Sequence, residues 1–547
     1  MIEISDRFRP QAKGVEKGAC SLVHPAGQPH SEDVIVTIGL PRRPFVAGLL
    51  ALSAITRARA ADSEIRVGFT QDALTLDPAN PGNRDTETIV RNMYDGLLVR
   101  DPAMKVVPQI AVSWTQPDPL TYDLILRDNV HFHNGAMLTP QDVKFTIDRV
   151  LSGKIGGQTN PRRDLLGPMR RVDITGPHAV RFVLSKPWPL LPAMLPFQEI
   201  VCKAFVEKVG DQGMVTQENG TGPFKLAAWH HGDSIVMERF DQYYGGAPDI
   251  PPVGPARVAR LVYRIMPDNS ARVAALLAGD VDVINNLPVT SMQQVQANEN
   301  TRVAAVNGTR TFFLSINNAK PPFTDVRVRQ ALNHAVDRKL IIARLLNGLA
   351  VPLNGVLSPD AFGFEPNLPE YAYNPALAKS MLAAAGVPNL SLTIDTDGSG
   401  KEISEAIASM FSRTGIDAKV RVWDTSVIVP IWRNAQQRKD HDLFYTSWGN
   451  ASLDPSDIMM PAIHSGGRGN SAGYYNPQVD KLLDAAEAET DRAKRAALYK
   501  QAQLIIYNDA PWVFLWLPQD IYGISRRLKG FTPSPSGMID LSRAIVG

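Results

Sequence analysis

The sequence predicts an α/β protein with more than one hydrophobic core. Segments whose apolar residues alternate, as in half-buried strands, are interleaved with segments at helical spacing that open on capping residues. The chain's 547 residues are also several times a usual single-domain length. Hydrophobic residues make up 44% of the chain and charged residues 20%, the balance of an ordinary soluble globular protein. A formal net charge of +2 provides no basic excess for nucleic acid, and no acidic tail.

The first element is an export signal. Arg42-Arg43 precede an apolar run from Phe45 to Ile55, and Ala58-Arg59-Ala60 followed by Ala61 suits cleavage at small residues. That run is too short for a bilayer core, which takes about 20 residues. Residues 1–60 are therefore expected to be a leader and signal peptide, removed on export by a Sec or a twin-arginine route. Residues 1–40 have mixed charge and no apolar period, as in a long n-region, an early start or a real leader. Cys20 lies upstream of cleavage and does not close the apolar run as a lipid-attachment cysteine would. Cys202 is then alone in the mature chain, which excludes an intramolecular disulfide.

From Glu64, the alternation of Ile65, Val67 and Phe69 with polar neighbours predicts a strand, and Leu76-Asp77-Pro78 opens a turn-rich stretch through Asn83. Thr86 to Leu98 takes helical spacing, with Ile89, Met93 and Leu97 on one face. Further blocks run from Val107 to Trp114, from Tyr122 to Arg127 and from Val130 to Gly135. Thr139 can cap the next helix, with Pro140 in its first turn and Asp142 favoured at its positive end. In Gly220 to Tyr244, Gly220, Gly222 and Pro223 allow a sharp turn. Phe224, Leu226 and Ala228 then run out as a strand, His231-Gly232-Asp233 reverses the chain, and Ile235, Met237 and Arg239 return. After Phe313 to Asn317, Thr324 or Asp325 can cap a helix carrying Val328, Ala331, Leu332 and Ala335. Asn374-Pro375 opens another, with Ala378, Met381 and Leu382, ended by Gly386.

The segment from Gly220 to Tyr244 resembles the crossover signature of the large periplasmic solute-binding proteins that feed ABC importers, the dipeptide-, oligopeptide- and nickel-binding family 5. The other blocks follow in that family's order from about residue 64 to the C-terminus. The resemblance implies a two-lobed periplasmic binding protein fold of type II, in the large class with an extra subdomain, its lobes hinged around a ligand cleft. Lobe I would comprise 64–308 plus 518–547, with 99–217 as the extra subdomain, and lobe II 309–517. It further implies a periplasmic monomer that binds a small solute and partners an ABC permease with its ATPase subunits. No catalysis, cofactor, metal, nucleic acid or membrane insertion after signal cleavage is expected.

His131 and His133 fall on one face of an expected strand, but no nearby acid or cysteine completes a metal site, and a scaffold role is expected for them. His230-His231 is read as a surface turn. Gly467 to Ala472 matches a dinucleotide-loop pattern without the preceding strand, and Gly398 to Lys401 resembles only a fragment of a phosphate loop. No GxSxG or HExxH motif occurs. The expected ligand residues are Trp448, Gly449 and Asn450, after a strand from Asp442 to Thr446. Comparison with the family adds Arg84 and Asp85 in a first-lobe loop. It also adds Asp397, Ser399 and Lys401 after the strand Leu392 to Asp395, and Tyr371 and Arg468. Peptide-binding members place a carboxylate three residues after the tryptophan to pair with the ligand's amino group; here that position is Ala451. This counts against a standard peptide with a free amino terminus, because a buried ammonium without a counter-charge is penalised by several kcal/mol. Asp454, the nearest carboxylate, is read as a turn cap. Modified peptides, opine-like or sugar-derived compounds and metal chelates stay open as ligands. The alternatives in function are an exported hydrolase and a sensory or chaperone-like binder without a permease.

Overall fold

The computed structural model describes residues 63–547. The expected signal peptide, with Arg42-Arg43 and Cys20, lies outside the described residues.

Twelve strands join in one continuous sheet among the described residues, and its two halves meet in a single strand, Trp512–Ser525. Trp512 to Trp516 pairs antiparallel with Arg310–Ile316, and Ala350–Pro352 pairs with Trp516 to Pro518. From Gln519 onward the same strand pairs with Thr301–Asn307, and its Gly523 and Ile524 with Val283–Ile284. The first half continues through Glu64–Phe69, Arg260–Ile265, Ser234–Arg239 and Phe224–His230. The second continues through Leu443–Gly449, Ser391–Asp397 and Asp417–Trp423.

Burial marks the seam. Trp512 to Leu517 and Ile521 to Ser525 are buried, whereas Pro518, Gln519 and Asp520 between them are half-exposed. Pro518 has no N–H to give a ladder, and its carbonyl accepts the Gly308 N–H at 3.0 Å. The Gln519 amide donates to the Asn307 side-chain oxygen at 3.1 Å. The chain thus passes between halves twice, side by side, and each half has its own core. One gathers Ile65, Val67, Phe224 and Tyr263; the other gathers Leu314, Leu332, Ile394 and Phe411.

A separate antiparallel sheet has the order Ala111–Asp118, Thr121–Leu126, Ala179–Leu184, Met169–Gly176. The helix Pro140–Leu151 buries Val143, Ile147 and Val150 in the same core as Leu124, Val172 and Phe182. Its start follows the sequence reading, since the Thr139 N–H donates to the Asp142 carboxylate at 2.9 Å. Of the two caps weighed for the helix Val326–His334, Asp325 serves, accepting the Arg327 N–H at 2.8 Å. Asn374 caps Pro375–Ala384 by accepting the Leu377 N–H at 2.9 Å, and Gly386 carries the chain away at φ +80°.

The structure corrects three local readings. The helix expected from Thr86 to Leu98 is Arg84–Val90. The carbonyls of Asn92 and Met93 accept the N–H groups of Phe224 and Gly222, at 3.1 and 2.9 Å, and Leu98–Arg100 pairs as a strand with Val106–Pro108. Distant hydrogen bonds have overridden a local period. Gly220 and Gly222 have no positive φ, so they serve close approach: an added Cβ would lie 1.9 Å from the Met93 oxygen at Gly220, and 2.5 Å from the Met93 carbonyl carbon at Gly222. Finally, His131 makes only an isolated bridge to Met137, and His133 is buried with Nδ1 2.8 Å from Glu218 Oε2 and Nε2 3.0 Å from the Gly222 oxygen. That imidazole pins the crossover. The strands at the expected ligand segments also run further, as Leu443–Gly449 and Ser391–Asp397.

Gly222→Ala is expected to destabilise the protein by about 3 kcal/mol, because backbone stands in the way. Gly232→Ala, at φ +76° with nothing within 4 Å of the added atom, is expected to cost about 1 kcal/mol. Urea-unfolding midpoints of the two variants check the contrast.

Candidate functional site

A cavity of about 810 Å³ draws its wall from both halves of the sheet and from the C-terminal segment after Gly530. On the second half, register places Arg310 opposite Gly449 and Thr311 opposite Trp448. Gly449 leaves room for the arginine, since a Cβ there would lie 3.2 Å from Arg310 Nη2. The Trp448 indole N–H donates to the Asp457 carbonyl at 2.9 Å, and Gly469 packs against the ring, where a Cβ would come within 2.2 Å. Arg433, at the end of the helix Thr425–Arg433, and Arg468 hold their guanidinium carbons 5.8 and 5.5 Å from the centre of the same ring. Arg310 donates to Ser447 Oγ at 3.2 Å. Burial, then the neighbouring Arg84, lowers the Arg310 pKa; burial, then Arg468, lowers that of Arg433.

Ala451 lines this cavity, but the site is not without an acid. Asp457, in the first turn of the helix Ser456–Ala462, also lines it and accepts the Ser452 N–H and hydroxyl, both at 3.2 Å. Burial raises its pKa. Asp454 does accept the Ser456 N–H at 3.1 Å as a cap, yet its main partner is Arg495, bidentate at 2.6 and 2.7 Å.

On the first half, Arg84 opens the helix Arg84–Val90, packs against Gly537 and reaches Asp520 at a long 3.4 Å. Behind it, two arginines and two glutamates alternate. Arg91 lies 2.9 Å from both Glu87 and Glu199, and Arg162 lies 3.2 and 3.1 Å from the same two. That set is internally neutral. Asp95 is buried, accepts the Gln109 amide at 2.7 Å, and lies beside the Tyr243 and Tyr244 hydroxyls. Burial pushes its pKa up to about 7.

Of the residues expected at the ligand, Arg84, Trp448, Gly449 and Arg468 line the cavity. The others lie elsewhere, each for a physical reason. Asn450 is buried, its N–H donating to the Thr309 carbonyl at 2.7 Å, which anchors the strand end. Asp85 accepts the Thr70 hydroxyl at 3.0 Å. Asp397 is used up locally, accepting from Ser399 N–H and hydroxyl, Gly400 N–H and Thr425 hydroxyl, while Ser399 and Lys401 are exposed. Tyr371 is a core residue whose hydroxyl donates to the Tyr507 carbonyl at 2.7 Å. Sequence reading did not single out Arg310, Arg433 or Asp457. Arg310 had a signal, a charge beside the Gly308 crossing, and Asp457 sat within the first turn after the tryptophan motif; Arg433 had none.

Residues 105–470 match the model of the bacterial extracellular solute-binding proteins, family 5 Middle. The chain belongs to this family. Glutathione-binding protein GsiB of Pectobacterium atrosepticum is 26% identical over 506 residues, covering 89% of this chain and 94% of that protein. Among solved structures, the ABC transporter-associated periplasmic binding protein DppA from Helicobacter pylori, in complex with peptide STSA, is similar with a TM-score of 0.73 at 23% identity, over 90% of this chain and 99% of that one. The binding protein AgaA from A. tumefacien R10, in complex with agropinic acid, is similar with a TM-score of 0.71 at 25% identity, over 88% and 99%. The fold is thus the two-lobed α/β fold of periplasmic binding proteins, and this family 5 protein is a solute-binding protein. Members of the family are binding proteins. Among the described residues no helix is long and apolar enough to cross a membrane, and no group of three or more His, Cys, Asp or Glu is placed to hold a metal ion.

Asp95 predicts a pH dependence in this family 5 protein. An acid whose folded pKa lies above its unfolded value holds its proton more tightly in the native state, so stability falls as pH rises from about 4 to about 7. Asp95→Asn should remove that slope, worth a few times about 1.4 kcal/mol, and leave the variant more stable than the parent at pH 8. Thermal melts across pH 4 to 8 measure it.

Proposed function

We propose that this protein captures a compact, peptide-like solute between its lobes and presents the closed complex to an ABC permease and its ATPase subunits, acting as a periplasmic monomer that leaves the solute chemically unchanged. The observation that carries this is the shared wall: a ligand touching Trp448 and Arg468 on one half and Arg84 on the other bridges both. A bridging ligand favours the shut form by its differential affinity for it. The lobes are taken as 64–308 plus 518–547 and 309–517, with 99–217 as the extra subdomain, and the paired crossings near 307–310 and 517–520 as the hinge. A volume of about 810 Å³ sits in the range of small-molecule sites, roughly 300–1,000 Å³, which suits a short ligand. Relatives named for glutathione support a peptide-like one, and Asp457 supplies the counter-charge that Ala451 does not. Trp448, Gly449 and Arg468 would line the ligand from one side and Arg84 from the other.

Native mass spectrometry of freshly purified protein is expected to show one small molecule per chain, released intact on denaturation. At one hundred times its dissociation constant that molecule should stabilise the protein by about 2.7 kcal/mol. Trp448→Ala should weaken it at least about tenfold, through lost aromatic contact. Release of a chemically altered product would instead establish an exported hydrolase.

A further inference from the structure

Three of the eight arginines on the cavity wall are matched closely with acids, and the others are not. Arg91 and Arg162 are neutralised by Glu87 and Glu199, and Arg543 by Asp540 at 2.5 Å. Arg433 and Arg468 lie over the Trp448 ring, and Arg310 has only the Ser447 hydroxyl. Arg84 has only its long contact to Asp520 at 3.4 Å. On the second half Asp457 lines the cavity, and its hydrogen bonds come only from neutral groups. Side chains of successive strand residues alternate between faces, so Arg310, paired opposite Gly449, and Trp448 belong to opposite faces of the sheet. Four of the unmatched cations therefore fall into two separate pairs, Arg433 with Arg468, and Arg84 with Arg310, while the fifth, Arg100, donates to the Met104 and Ala193 carbonyls and has Asp457 as an opposing charge.

Arg310, Arg433 and Arg468 are exposed to the cavity and Arg84 is half-exposed, so these like charges repel across open space until something of opposite sign enters, and a guanidinium matches a carboxylate in a planar, bidentate fashion. We infer that the solute is acidic, with two separate carboxylates, one seated by Arg433 and Arg468 beside Trp448 and the other held between Arg84 and Arg310 across the two lobes. This rests on the reading that the cavity holds the transported solute. Asp457 then takes a cationic group of the same ligand, so the ligand class is a small zwitterion of net negative charge. Repulsion between Arg84 and Arg310 disfavours empty closure, and the second carboxylate relieves it.

Calorimetric titration and thermal shift on the ligand-free mature protein test the inference with matched probes. One arm is glutathione and Glu-Glu; the other is their ethyl esters, with the same skeletons and masked acids; inorganic phosphate is a third. The free acids should bind at least about 100-fold more tightly than their esters, and 0.5 M salt should weaken them. Arg310→Gln and Arg433→Gln should each cost the acids about tenfold or more, as loss of a charged hydrogen bond does, while barely moving the esters. Neither variant should melt lower than the parent when empty, since each removes a repelled charge. Equal binding of acids and esters overturns the inference and leaves solute capture standing. Phosphate binding with the same arginine dependence, in place of the acids, overturns the carboxylate class. Failure of every probe overturns the inference together with the peptide-like reading beneath it.

Discussion

One strand, Trp512–Ser525, is hydrogen-bonded into both halves of the main sheet, and the rest of the architecture hangs on it. A rigid central strand shared by two cores fixes their relative position along its length. The ladder is weak only where Pro518 cannot donate and where Gln519 and Asp520 leave the core. Arg84 meets Asp520 at this seam, and Arg310 begins the strand just beyond the neighbouring crossing. The arginines proposed to face the solute from opposite sides are thus carried on the segments that would move least as the lobes rock.

The crossover around Gly220 plays a different part. It takes up the carbonyls of Asn92 and Met93, and His133 and Glu218 tie it to the turn at 132–135. This packing stiffens the first-half wall on which the Glu87, Arg91, Arg162 and Glu199 quartet sits. A wall whose own charges cancel adds little field of its own. The electrostatic character of the cavity is therefore set by the few arginines that have no such partners.

Local chemistry was legible in the sequence wherever a few consecutive residues decide the outcome. Thr139, Asp325 and Asn374 cap their helices because a short polar side chain before a helical run has few better partners. The fold was legible because strand alternation and the order of several blocks agree over most of the chain. The end of the first helix was not, since Val90 is followed by carbonyls claimed by residues more than a hundred positions away. Matching positions could place Trp448 in the cavity, because a strand end determines where an aromatic points. They could not show that Asp397 is consumed by its own turn, that Asp454 is held by Arg495, or that Tyr371 faces Tyr507. Arg433 meets Trp448 only through tertiary packing, which leaves no trace in spacing.

The position of the shared strand along the chain also has a bearing on folding. Thr301–Asn307 and Arg310–Ile316, which pair with it, are made some two hundred residues before it. Until residues 512–525 exist, the first half lacks its inner neighbour and the second has an unpaired edge. Each half then presents exposed backbone donors and acceptors of the kind that invite misplaced pairing. Such long-range closure raises contact order and slows the final step. A chain stopped short of its last forty residues would accordingly hold two unfinished sheets.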